Sequence, residues 1–145
     1  MAFDPGRFRG LSGFRYAMRR FVAASERLSR EAGVTQQQYQ ALLAIKVREG
    51  GAMTISDLAE QLMLTHHAAV QMMNRLAKAG LAARRRSERD RRLALLDLTD
   101  AGEALIEDLA GKHLDEILRH EPLLRRSLNQ LKRLGSDSPP RFSSR

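Results

Sequence analysis

The sequence predicts a mainly helical fold with one small β-hairpin, and three observations support this. Apolar residues recur at helical spacing through most of the 145-residue chain. Between residues 54 and 80, two capping patterns open a short helix and a longer helix with only a tight connection between them. After residue 80 the apolar residues no longer recur at helical spacing. Two short candidate strands joined by a polar turn follow, as is typical of a hairpin. A chain of this length fits one domain with one core.

Two helices are predicted at the start of the chain. The first covers residues 11–32, because apolar side chains repeat at helical spacing and Gly33 supplies a stop signal. Residues 1–10 are expected to form a flexible arm. The second helix opens at a capping box made by Thr35 and Gln38. Its predicted inner face consists of Tyr39, Leu42, Leu43 and Val47.

The tight helix pair comes next. Thr54 and Asp57 form another capping pattern, which opens a short helix. Thr65 can cap a longer helix that ends at Gly80. The predicted inner face of the longer helix consists of Val70, Met73, Leu76 and Ala77. A short helix, a turn and a second helix at this spacing predict a helix-turn-helix.

The hairpin that follows predicts a wing. Its strands are Leu81–Arg86 and Arg91–Leu98, joined by the polar turn of residues 87–90. Met53 and Thr54 are a candidate for a short third strand. The fold class is therefore a winged helix-turn-helix, mainly α with a small β-wing, whose DNA-binding lobe spans residues 53–98.

The chain closes with two predicted helices. Thr99 and Asp100 cap a long helix, and Pro122 is expected to break it before a last helix that ends at Gly135. Residues 135–145 are rich in Ser and Pro and are expected to be a disordered tail.

Composition favours a polyanionic partner. The chain carries 25 Lys and Arg against 17 Asp and Glu, a net charge of +8. The absence of cysteine excludes disulfides, thiolate metal sites and cysteine redox switches, and it fits a cytoplasmic protein. No stretch has the length and apolarity of a signal peptide or a membrane span. With no Trp, two Tyr and five Phe, a stacking platform for single-stranded nucleic acid is poorly supplied, so duplex DNA is favoured.

The longer helix of the pair has the side chains that a recognition helix needs. Polar side chains near the N-terminus of such a helix can reach base edges in the major groove, and those present are Thr65, His66, His67 and Gln71. Gln71 can pair with an adenine edge, and Arg75 is placed for phosphate. The alternative is that these residues form an ordinary solvated helix face.

The histidines do not predict a metal site. Adjacent residues on a helix, such as His66 and His67, point about 100 degrees apart. No cysteine completes a ligand set, and His113 and His120 are expected on a polar helix face. We expect no metal and no cofactor.

The wing concentrates positive charge. Residues 81–92 hold six arginines against two acidic residues, a net charge of +4. Such a hairpin beside a recognition helix can reach the minor groove, where arginine is attracted by the negative potential. The candidates are Arg84, Arg86, Arg89 and Arg92. Asp90 is predicted to hold Arg92 in one rotamer, although a charge run of this kind is also typical of a solvated face.

The sequence from Asp90 to Gly102, Asp-Arg-Arg-Leu-Ala-Leu-Leu-Asp-Leu-Thr-Asp-Ala-Gly, resembles the wing motif of the MarR (multiple antibiotic resistance regulator) family of bacterial transcription regulators. The resemblance covers about residues 14–134. It implies that residues 11–134 form a single domain. Two copies of this domain would form a homodimer through the helices of residues 11–49 and 99–134. It also implies that Thr54 and Ser56 contact phosphate. The His66-His67 pair departs from the small polar residues more usual in the family.

The resemblance further implies a repressor that reads a palindromic operator and responds to a small aromatic or lipophilic anion. Arg15, Arg19 and Tyr39 are candidates for lining an effector pocket, with a solvated face and a core tyrosine as the alternative reading.

Two other function classes use winged domains of this kind. The dimerising winged domain of a methyltransferase is disfavoured, because no Gly-rich cofactor loop, nucleophile set or catalytic domain is present. We therefore expect no enzymatic activity. A winged helix that binds structured RNA or protein is the remaining alternative, although the polar start of the recognition helix favours the DNA major groove.

Overall fold

A computed structural model of the protein describes residues 4–48 and 51–136. It confirms the predicted fold class, mainly helical with a small antiparallel sheet. The helices in this part of the chain are α1 (Pro5–Glu31), α2 (Gln36–Val47), α3 (Ile55–Leu62), α4 (His66–Lys78) and α5 (Asp100–Ser136). The strands are β1 (Met53–Thr54), β2 (Ala82–Arg86) and β3 (Ala94–Leu98).

The chain divides into two compact units. Of the described residues, 4–25 and 113–136 form the first unit, and 26–48 and 51–112 form the second. Helices α1 and α5 each contribute to both. None of the described helices is long and apolar enough to cross a membrane.

Side-chain caps fix where three helices of the second unit begin. The Thr35 hydroxyl accepts a hydrogen bond from the Gln38 N–H at 3.1 Å, while the Gln38 side chain accepts from the Thr35 N–H. Thr54 and Asp57 make the same reciprocal pair at 3.1 and 3.0 Å. Thr65 caps α4 through the Ala68 N–H at 3.1 Å. The three predicted helix starts are confirmed, because each hydroxyl satisfies a backbone donor left over at a helix N-terminus.

The sheet has the strand order β1-β3-β2, and both pairings are antiparallel. The short third strand predicted at Met53 and Thr54 pairs with Leu96 and Leu95 of β3. Strand β3 begins at Ala94 rather than Arg91, so residues 87–93 form the tip of the wing. The wing therefore has a longer polar loop and shorter strands than predicted.

The core of the second unit lies between its helices and the sheet. Its fully buried side chains include Leu42, Leu58, Met73, Leu76 and Leu96.

The predicted inner faces of two helices, α2 and α4, need correction. Leu43, Val47 and Ala77 are exposed and Val70 is only partly buried, while Ala41, Ala44, Ile45, Ala69 and Met72 are buried instead. Both helices bury small alanines next to large side chains, so their buried faces are rotated from the positions of the largest apolar residues.

A close backbone contact joins the start of α5 to the start of the wing. Thr99 donates its N–H to the Leu81 carbonyl at 3.1 Å and its hydroxyl to the Gly80 carbonyl at 2.6 Å. A Cβ at Gly102 would lie 1.9 Å from the Leu81 carbonyl oxygen. Position 102 must therefore be glycine for this approach to exist.

Helix α1 begins at Pro5, six residues before the predicted start at Leu11. Asp4 precedes it, and the Asp4 carboxylate accepts a hydrogen bond from the Gly6 N–H at 3.1 Å. Residues 5–10 are therefore helical rather than part of an arm, and residues 1–3 lie outside the described residues. Proline at the first helical position loses no intrahelical hydrogen bond, which makes Asp4-Pro5 a good helix start.

The predicted break at Pro122 is wrong, because α5 continues through it to Ser136. A proline inside a helix removes one backbone hydrogen bond, and this helix tolerates that loss. Ile117 and Leu118, two apolar residues of this helix, are exposed. The predicted tail starts inside the helix at residue 135, and residues 137–145 lie outside the described part of the chain.

Candidate nucleic-acid interface

The five candidate residues of α4 are all on its surface. Thr65 precedes the helix as its cap, and His66, His67, Gln71 and Arg75 are exposed, as is Thr65 itself. On the opposite side, α4 buries Ala69, Met72, Met73 and Leu76. The helix is thus held in the core by one face and presents polar groups on the other, starting from its N-terminus.

One further polar residue, Asn74, belongs to this surface and was missed by the sequence reasoning. His67, Gln71 and Asn74 are spaced by four and then three residues, so they form one stripe along the exposed face of α4. Lys78 continues the stripe at the last turn. The spacing was visible in the sequence, but Asn74 lies beyond the N-terminal turns where base-reading residues were sought.

A hydrogen bond ties this stripe to the wing. The Arg84 guanidinium of β2 donates to the Asn74 side-chain oxygen at 2.7 Å. Arginine has only donors, so the Asn74 amide must turn its oxygen toward Arg84 and its NH₂ group away. The contact extends the polar stripe from α4 onto the first wing strand.

At the wing tip, Asp90 and Arg92 form a bidentate ion pair. Arg92 Nε and Nη2 lie 3.0 and 3.2 Å from the two Asp90 carboxylate oxygens, and the Arg92 N–H donates to Asp90 Oδ1 at 3.1 Å. These hydrogen bonds, from the side chain first and the backbone second, hold the pKa of Asp90 below its ordinary value. The Arg92 side chain remains 89% exposed. Arg92 is therefore oriented by its partner while its charge faces solvent.

The other wing arginines differ in what they contact. Arg86 and Arg89 are exposed. Arg85, on the same strand as Arg84 and Arg86, pairs with Asp97 of β3 at 2.6 Å and donates to the Gly51 carbonyl at 2.5 Å. Arg85 therefore links the wing to the segment that leads into β1, which fits its absence from the candidate DNA-contacting set.

The two candidate phosphate contacts lie at the start of α3. Thr54 caps the helix and is partly buried, and Ser56 is exposed in the first turn. Asp57 completes the capping box by accepting a hydrogen bond from the Thr54 N–H. This hydrogen bond is the main cause that lowers the pKa of Asp57. Arg48 approaches the same carboxylate at 3.4 Å.

The candidate effector residues fall in different units. Arg15 and Arg19 are exposed on α1 in the first unit. Tyr39 is buried in the core of the second unit, and burial raises its pKa. A shared pocket for the three stays a prediction.

In the part of the chain that the structure covers, no group of three or more His, Cys, Asp or Glu side chains lies close enough to hold a metal ion.

A helix-turn-helix followed by a three-stranded wing, with polar residues along the second helix and arginines at the wing, defines the chain as a winged helix-turn-helix protein. Comparison with known proteins places it more closely. The profile of the MarR family matches residues 32–93 of the chain.

FarR, AbsC and NadR are three of the proteins to which this chain is similar. The HTH-type transcriptional regulator FarR of Neisseria gonorrhoeae is 34% identical over 86 residues, which cover 59% of this chain and 57% of FarR. The structure of AbsC, a MarR family transcriptional regulator from Streptomyces coelicolor, matches with a TM-score of 0.77, 24% identity and coverage of 92% of this chain and 91% of AbsC. NadR in complex with 4-hydroxyphenylacetate matches with a TM-score of 0.66, 27% identity and coverage of 86% and 88%. The chain spans about half the length of the curated relatives it matches.

Proposed function

We propose that the protein is a transcriptional regulator that binds duplex DNA at a palindromic operator as a homodimer, in the cytoplasm and without enzymatic activity. The observation that carries this proposal is the continuous polar surface from Thr65 through Gln71 and Asn74 to Arg84. An α-helix fits the major groove, and the exposed side chains at the start of α4 have donors and acceptors that match base edges.

The wing supports the proposal through charge and geometry. Arg92 is exposed, positively charged and held in one orientation by Asp90. A preoriented guanidinium loses less side-chain freedom when it enters a narrow minor groove. Arg86 and Arg89 add exposed positive charge on the same hairpin, and Ser56 and Thr54 place hydroxyl groups at the start of α3 for phosphate.

A homodimer is supported by the apolar surface of the first unit. The exposed large apolar side chains on its part of α1 and α5 include Phe8, Leu11, Tyr16, Val22, Leu114, Ile117, Leu118 and Leu128. An apolar surface of this kind marks an association site. A second copy of the chain covers it and brings two recognition helices to one palindrome, since two-fold symmetry in the protein matches two-fold symmetry in the DNA.

The proposal includes repression that is relieved when a small ligand binds the protein. NadR, the relative solved with 4-hydroxyphenylacetate, is the basis for a small aromatic anion as the effector. Arg15 and Arg19 supply positive charge, and Tyr39 supplies an aromatic side chain. Displacement of the protein from its operator by such an acid is the expected response.

The direct test measures affinity for a palindromic duplex selected from genomic fragments, by fluorescence anisotropy at several salt concentrations. We expect affinity to fall steeply with salt, because phosphate contacts release counterions. Arg92→Ala is expected to cost about 1–3 kcal/mol of operator affinity. Arg30→Ala, which removes an exposed arginine from α1, is the matched control and is expected to have little effect.

Two results would contradict the proposal. Equal affinity for random duplex at every salt concentration would show charge attraction without recognition. Stronger binding to structured RNA than to the selected duplex would favour the alternative class of winged-helix module.

A further inference from the structure

The wing contains a cavity lined almost entirely by arginine. Its volume is about 380 Å³, and five of its seven lining residues are arginines: Arg84, Arg85, Arg86, Arg91, Arg92, with Leu93 and Ala94. No acidic residue is among the lining residues. A concave site with this charge attracts anions far more strongly than an equally charged flat surface does.

Three of the five guanidinium groups are already held in place by neighbours outside the cavity. Arg92 pairs with Asp90, and Arg84 donates to Asn74. Arg85 pairs with Asp97, and because side chains alternate along a strand it points to the opposite face of β2 from Arg84 and Arg86. Holding these groups before a ligand arrives lowers the entropy lost on binding.

The other two groups are unneutralised. Across residues 4–48 and 51–136, the structure shows no side-chain hydrogen bond or ion pair for Arg86 or Arg91. Asp90 and Asp97 offset two of the five positive charges, so the cavity keeps a net charge of +3. Its ligand must therefore supply several negative charges within a small volume.

We propose that this cavity is a binding site for a linear oligophosphate anion of the pyrophosphate or triphosphate class. Each phosphate group offers oxygens that match the planar fork of a guanidinium, and linked phosphates can contact several arginines at once. A monocarboxylate has one charged group and satisfies only one fork. Because the same arginines belong to the proposed DNA interface, the bound anion would compete with the DNA backbone, and this consequence rests on the proposed function.

The test is calorimetric titration of the full-length protein with inorganic triphosphate, with sodium sulfate at equal ionic strength as the reference. We expect one triphosphate bound per chain and no comparable binding of sulfate. Arg91→Gln and Arg86→Gln should each weaken triphosphate binding about tenfold, the loss of one charge-assisted hydrogen bond. Arg89→Gln removes the same charge from the same hairpin but lies outside the cavity, so its triphosphate affinity should stay close to that of the unmodified protein.

Two outcomes would overturn the site. One is triphosphate binding no tighter than that of sulfate. The other is an equal loss in Arg89→Gln and Arg91→Gln, which would show that diffuse wing charge is responsible.

Operator binding is measured separately with the same variants and no triphosphate. Triphosphate binding without operator binding would support the triphosphate site and contradict the proposed function. Operator binding without triphosphate binding would contradict the triphosphate site but not the proposed function. If both bind, displacement of the duplex by triphosphate supports a site shared with the DNA backbone, and simultaneous binding supports a site for the free anion.

Discussion

Replacing Gly102 by alanine tests the close contact between α5 and the wing. The new Cβ would lie 1.9 Å from the Leu81 carbonyl oxygen and 3.0 Å from its carbon. Both are backbone atoms, so relief requires moving the first turn of α5 and weakening the Thr99 N–H to Leu81 hydrogen bond. Overpacking costs about 1–3 kcal/mol and a weakened hydrogen bond about 1 kcal/mol, while alanine gains about 1 kcal/mol in helix propensity. We expect a net destabilisation of about 1–3 kcal/mol.

The control is Gly111→Ala in the same helix. No atom lies within 4 Å of a Cβ built at Gly111, so only the propensity gain applies. Urea unfolding should show Gly111→Ala more stable by up to about 1 kcal/mol and Gly102→Ala less stable. A Gly102→Ala variant as stable as Gly111→Ala would refute the reasoning from the contact.

Three other predictions concern the lobe of residues 53–98. Met63 has a left-handed backbone (φ 56°) and is 92% exposed, so Met63→Gly should stabilise the protein by about 0.5–1 kcal/mol in urea unfolding, and a loss would contradict this. Because the folded pKa of Asp57 is lowered, its stabilising effect is present above the ordinary aspartate pKa of about 3.9 and is lost as the pH falls through the folded value. The stability difference between the wild type and Asp57→Ala should therefore be constant near neutrality and shrink in acid, and a difference unchanged down to the lowest pH that keeps the protein folded would contradict it. Asn74→Ala should weaken operator binding by about 1 kcal/mol by releasing Arg84, whereas unchanged affinity would remove that link from recognition.

Features set by local hydrogen bonds could be predicted from the sequence. Thr35, Thr54 and Thr65 each satisfy a backbone donor within three residues, so the pattern alone locates three helix starts. The pairing of Asp90 with Arg92 is equally local. Asp4-Pro5 is the same kind of signal for the start of α1, but the apolar repeat that predicts the helix begins only at Leu11.

Features set by distant parts of the chain could not be predicted in this way. The exposure of Leu43 and Val47 depends on what packs against α2, which no local pattern encodes. Asn74 joins the candidate interface only because β2 brings Arg84 to it. Arg85 looks like its neighbours in the sequence, and only strand pairing shows that Asp97 neutralises it.

Hydroxyl-radical footprinting on a duplex selected from genomic fragments tests the central claim most directly. Two chains that present α4 and the wing to one DNA should protect two half-sites related by two-fold symmetry, with centres about one helical turn apart. Protection should extend into the flanking minor grooves and disappear from those flanks in Arg92→Ala. A single protected half-site, or uniform weak protection that Arg92→Ala leaves unchanged, would contradict recognition by paired helices and wings.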